Sequence, residues 1–103
     1  MRWKETLYTR RLQRPLDEAA RSAISGEYER RRGEIPMPTE FQWHPHLPQF
    51  TIKAPLLAFV VNFGREEMQV VAELSLAAKA MATQRHRAKA VGFIDSIVTD
   101  LGL

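Results

Sequence analysis

Cysteine is absent from the 103 residues. That absence excludes disulfides, thiolate metal sites and a cysteine nucleophile, and it leaves the redox compartment unmarked. Long apolar runs are lacking as well. The longest, counting its proline, is Ala54–Val61, far short of the ~20 residues a membrane-crossing helix needs. The opening residues, MRWKETLYTRR, contain no apolar segment of signal-peptide type, so a soluble, cytoplasmic protein is expected. The five glycines are scattered and form no phosphate-cradling loop, and no serine sits in a nucleophile-elbow context. Internal repeats and low-complexity tracts are missing too.

What is present reads as one domain spanning residues 1–103, large enough for a single modest core. Apolar residues make up 45% and charged residues 26%, an ordinary globular balance. The formal net charge of +3 is unevenly placed: residues 1–33 carry nine Lys/Arg against five Asp/Glu. A local excess of this size is compatible with an anionic partner but does not demand one.

Trp3, Thr6, Leu7, Tyr8, Thr9 and Leu12 favour a strand over 2–12. Over 15–32, Leu16, Ala20, Ala23, Ile24 and Tyr28 recur at three- and four-residue spacing and predict a helix. Pro15 suits its start, Arg30–Arg32 its negative end, and Gly33 a left-handed cap. Four further strands are expected, at 40–44, 49–53, 56–63 and 68–76. The HPHLP stretch separates the first two, and a short GREE hairpin loop, with Gly64 able to take positive φ, joins the last two. The end of the chain, from a Thr83 N-cap to Gly102, reads as a second helix. Residues 77–82 suit strand, loop or helix. The order β-α-β-β-β-β-α implies an α+β domain: an antiparallel sheet of four to five strands with two helices on one face.

Candidate chemistry is sparse. His44 and His46 share one side of a strand, but Pro45 turns the chain between them. A metal site needs at least a third ligand, for which only His86 is in prospect; no metal or cofactor is expected. Glu66 and Glu67 read as a solvated turn. Asp95 lies near the apolar side of the second helix, with Arg87 two turns earlier as a loose partner. Acid–base catalysis needs such groups placed in a cleft, so the domain reads as non-enzymatic. Arg30, Arg31, Arg32, Arg85, Arg87 and Lys89 form the basic clusters of an alternative reading, a nucleic-acid-binding module. A small-molecule-binding domain or enzyme is the other alternative.

The most informative stretch is Lys53–Phe63, KAPLLAFVVNF. A strand with one wet face alternates, yet Leu56 to Val61 are all apolar. One set is Leu57, Phe59, Val61 and Phe63; the other is Leu56, Ala58, Val60 and Asn62. Two helices cover only one face, so one set meets the core and the other stays on the open side. Burying such side chains stabilises by ~1.5–3 kcal/mol each. The expectation is therefore a homo-oligomer, or an apolar surface or protein partner, met through Trp43, Leu56, Ala58 and Val60. The plainer reading is that central strands are often apolar throughout.

Taken in order, RRL, PLDEAARSAI, FQWHPHLPQFTI, MQVVAELSL and VGFIDSIVTDLG resemble the small bacterial polyhydroxyalkanoate-system proteins. WHPH stands where that family would have a polar turn, and the GEIPMP loop is particular to this chain. The resemblance implies association with storage-polyester granules or granule proteins. It brings no catalytic set.

Overall fold

The computed structural model describes residues 2–35, 38–55, 57–75 and 84–103. The elements are β1 (Arg2–Arg11), α1 (Glu18–Arg31), β2 (Glu40–Trp43), β3 (Gln49–Lys53), β4 (Leu57–Phe63), β5 (Glu67–Ser75) and α2 (Gln84–Asp100). All strands pair antiparallel in one sheet of order β1-β5-β4-β3-β2. This is the expected α+β architecture. The strand that leads the chain lies beside the last one, and β4 is the middle strand of five.

Alternation decides what each face carries. Phe50 and Ile52 of β3, Val61 and Phe63 of β4, and Met68 and Val70 of β5 are buried against Ala20, Ile24 and Tyr28 of α1 and Ile94, Ile97 and Val98 of α2. Phe59 borders the same core, and Leu57 packs with it beneath Ala72 and Leu74. The inward set of β4 is thus Leu57, Phe59, Val61 and Phe63. The far end of the core is aromatic: Phe41 stacks on Tyr28 with centroids 4.8 Å apart and lies 4.9 Å from Phe50.

Helix α1 begins later than its periodicity suggests. Asp17 is the N-cap, its carboxylate accepting from the Ala20 N–H at 2.7 Å. Pro15 therefore precedes the helix, because a side-chain acceptor satisfies an open N–H that proline only lacks. The other end departs from expectation as well. Arg32 stays right-handed and the chain tightens into a 3-10 turn, Arg32–Glu34, closed by the Ile35 N–H on the Arg32 carbonyl. Gly33 and Gly64 do not take positive φ; among the described residues only Gly102 does, at 71°. There the Leu103 N–H reaches the Val98 carbonyl and the Gly102 N–H that of Thr99, both at 3.0 Å. This paired closure needs a left-handed residue between, and it folds Leu103 into the core. The proposed Thr83 cap and the 77–82 segment lie outside the described residues.

A Cβ added to Gly26, within α1, meets nothing within 4 Å. Gly26→Ala should stabilise the domain by about 0.5–1 kcal/mol through helix propensity alone. Asp17→Ala should cost ~1 kcal/mol through loss of the cap. Urea unfolding of the two variants beside the wild type checks both signs.

Candidate docking face of the sheet

The side chains that point away from the helices form three rows across the sheet, set by the strand register. The first runs Lys4, Glu73, Ala58, Lys53, Glu40, and the second Thr6, Val71, Val60, Thr51, Gln42. The third runs Thr9, Gln69, Asn62, Gln49, and His44 extends it through its N–H on the Gln49 carbonyl. The apolar part of this face, among the described residues, is Ala58, Val60 and Val71. Ala58 sits between the Lys53 and Glu73 positions and is only 4% exposed; Val60 and Val71 are half-buried. Lys4 reaches Glu73 at 3.5 Å. Among the described residues the one exposed large apolar side chain is Leu47, at 50%, in the β2–β3 turn rather than on this face. The second apolar side of β4 is real but narrow: a short central patch with polar and charged flanks.

The residues expected to form an interface are divided between the two faces of the sheet where they are described. Ala58 and Val60 share the open face. Trp43 is on the opposite, helix-covered face, where its ring lies 5.2 Å from Phe50 and its indole N–H donates to Ser25 at 2.8 Å. The Arg21 guanidinium lies over the same ring, 5.0 Å from its centroid. The register explains the placement: Trp43 opposes Phe50, an inward residue of β3. Leu56 lies outside the described residues.

Of the six basic side chains of the alternative reading, Arg30, Arg31, Arg32 and Arg87 are each engaged by a carboxylate. Arg30 and Arg31 both bind the Glu27 carboxylate, and Arg31 continues to Ser96 and Asp100 of α2. Arg30, then Arg31, hold the Glu27 carboxyl below its ordinary range. Arg32 pairs with Glu29 at 3.2 Å. Arg87 pairs with Glu5 of β1 at 3.0 Å, not with Asp95. Lys89 is exposed, and the Arg85 side chain lies outside the described residues.

Asp95 has other partners. Its Oδ1 accepts from the Tyr8 hydroxyl at 2.9 Å and from Arg10 at 2.6 Å, and Arg10 also donates to Thr99 at 2.8 Å. Both Tyr8 and Arg10 point inward from β1 because a bulge between Thr6 and Tyr8 resets its alternation. Leu7 falls at the bulge and packs beside Ala72 and Leu74. Arg14, just beyond β1, donates to the carbonyls of Leu101 and Gly102 at 2.7 and 3.1 Å. These are cations on the negative end of α2, and the cluster as a whole fastens that helix to β1. The nearby hollow lined by Arg11, Leu12, Gln13, Arg14, Pro15, Arg65 and Glu66 is broad and open, and Asp95 is not among its walls. His44 serves its own turn: its Nδ1 accepts from the His46 and Leu47 N–H groups, each at 3.0 Å. No group of three metal-ligating side chains occurs among the described residues, and no described helix is long and apolar enough to cross a membrane.

The hydrogen bond to Asp95, with burial and the neighbouring negative charge adding to it, raises the Tyr8 hydroxyl above its ordinary pKa near 10. The unfolded chain then releases this proton first, so the stabilisation is complete below pH 10 and is lost as pH rises through the folded value. The stability difference between wild type and Tyr8→Phe should be level from about pH 7 to 9 and shrink above about pH 10. Urea titrations across that range, followed by circular dichroism, check it.

No family model, curated protein or solved structure matches this chain, which leaves the surfaces described above as the ground for a functional reading.

Proposed function

We propose that this domain is a non-enzymatic, self-associating module that docks on protein through the open face of its sheet. The observation that carries the reading is the composition of that face: Ala58, Val60 and Val71 at the centre, with Lys4, Lys53, Glu40 and Glu73 in the row that contains Ala58. An apolar centre with a polar border is the anatomy of a protein–protein contact. A bare hydrocarbon or polyester surface would instead strip water from Lys53 and Glu40 without offering them an opposite charge, at a large cost. A second protein surface can pair Lys53 and Glu40, which form no ion pair with described residues of their own chain, and can extend the Lys4–Glu73 pair.

The nucleic-acid alternative draws less support, since Arg30, Arg31, Arg32 and Arg87 are each held by a carboxylate of the same chain. Among the described residues, the hollow beside Arg14 and Glu66 opens broadly to solvent and gives a small molecule little enclosure. On the resemblance to polyhydroxyalkanoate-system proteins, the wider setting of this docking is cytoplasmic, at a storage granule. There the partner would be granule-bound protein rather than the polymer itself.

Val60→Glu places a charge at the centre of the patch without touching the helix-side core. It should leave the far-ultraviolet circular dichroism unchanged and shift the light-scattering mass on size exclusion from oligomer to monomer. A wild-type protein that stays monomeric at high micromolar concentration, with no binding of hydrophobic dye, would overturn the reading.

A further inference from the structure

The first row of the open face has an unusual order of charge. From β1 to β2 it reads Lys4, Glu73, Ala58, Lys53, Glu40: positive, negative, neutral, positive, negative. Read from the other edge, every charge is inverted and the alanine stays in place. Because β4 is the third of five strands, the point of inversion falls on the middle of the sheet.

We infer that two copies of this chain pack their open faces together about a twofold axis running along β4, so that Lys4 faces Glu40 and Glu73 faces Lys53 of the second copy. The inference rests on the self-association proposed above and adds its geometry. Rotation about an axis parallel to the strands keeps each row opposite itself and exchanges the two edges. It therefore sets Ala58 on Ala58, Val60 on Val60 and Val71 against Thr51. In the third row Asn62 meets Asn62 and Gln69 meets Gln49; each amide is both donor and acceptor, so these contacts tolerate the symmetry. The axis at right angles, across the strands, would set the first row on the third. Lys4 would then face Thr9, Glu73 would face Gln69 and Lys53 would face Gln49, and no opposite charges would meet. Of the two in-plane twofolds, only the one along β4 pairs the charges.

The contact is also of suitable kind and size. A C2 interface must be complementary to itself, and this face meets that condition in charge, apolar centre and amide row. Sheets that pack face to face keep their strands within about 30° of each other at ~10 Å separation. Ala58, Val60 and Asn62, all short, lie on the axis strand, where the two faces are closest; Lys53 and Glu73 lie one strand away, and Lys4 and Glu40 on the edge strands, where they can follow the twist. Five strands about 4.8 Å apart and some six residues long give a footprint of roughly 24 by 20 Å per copy. Counting both copies, that is near the ~1,000 Å² at which specific interfaces begin, so a reversible dimer is expected. Lys4 already touches Glu73 within one chain; in the dimer Lys53 of the second copy joins that pair.

The test exchanges charges within a chain, which leaves net charge constant. One variant carries Glu40→Lys with Lys53→Glu, the other Lys4→Glu with Glu73→Lys. In either homodimer every charged contact becomes like against like. In the mixture of the two every contact becomes opposite again. Sedimentation equilibrium should show each variant alone associating at least tenfold more weakly than wild type, and the mixture recovering wild-type affinity as a heterodimer. Melting curves of each variant verify that both are folded. If the wild type dimerises and Val60→Glu abolishes it, but the exchanged variants associate as the wild type does, the face stands and this axis is wrong. If both exchanged variants fold yet their mixture does not recover, the axis is wrong as well. A wild type that stays monomeric overturns both the axis and the self-association on which it rests.

Discussion

The ladder between β1 and β5 joins Arg2 to Ser75 and Arg11 to Glu67, positions far apart in the chain. Closing so long a loop costs conformational entropy before any contact forms, and the pairing that offsets it is the longest in the sheet. Much else follows from it. With β1 on the far side of β5, β4 becomes the central strand and is paired along both edges. With Tyr8 and Arg10 pointing to the helix side, Asp95 has its partners, and α2 is held against the sheet through them. Arg14 then lies within reach of the carbonyls that end α2.

The two faces of the sheet solve different problems. The inner face is mainly apolar: Val61, Met68 and Val70 are completely buried, an aromatic end wall of Tyr28, Phe41, Trp43, Phe50 and Phe63 closes one side, and polar contacts from β1 to α2 lie along the other. The outer face uses β-branched residues, amides and alternating charges around a small apolar middle. Side chains of this type favour a pleated surface in water, and alternating signs along a row avoid like charges on adjacent strands. That same alternation makes the face complementary to its own image about β4. One arrangement of residues thus serves the monomer's sheet and suits a second copy.

Charge is spent mostly within the chain. Glu27, Arg31, Ser96 and Asp100 link α1 to α2, and Glu5 with Arg87 links β1 to the start of α2. The positive excess in the first third of the sequence looks like a signal for an anionic partner when only the chain is read. In the fold Arg30 and Arg32 meet carboxylates of α1, while Arg10, Arg14 and Arg31 meet carboxylates or helix-end carbonyls of α2, far along the chain. By contrast Lys53 and Glu40, neighbours across β2 and β3, form no ion pair with described residues of their own chain, and both are exposed on the open face.

The order and type of the elements were legible in the sequence because they rest on local periodicity. Alternation of two marks Gln49–Lys53 and Glu67–Ser75, recurrence at three and four marks Ile24 to Tyr28 and Ile94 to Val98, and Pro45, Pro48 and Pro55 mark where ladders stop. Gly102 as the end of the last helix was legible for the same reason, whereas Gly33 was not, since the competing closure by Ile35 on Arg32 leaves no need for positive φ. The tertiary structure alone decided which strands are neighbours, which set of β4 faces inward, that Trp43 belongs to the core side, and that Asp95 answers to Arg10 and Tyr8. A run such as Leu56–Val61 is equally apolar on both sides, so no local pattern distinguishes its faces. That choice was made by the residues opposite it, Phe50, Ile52, Val70 and Ala72, which are buried on one side only.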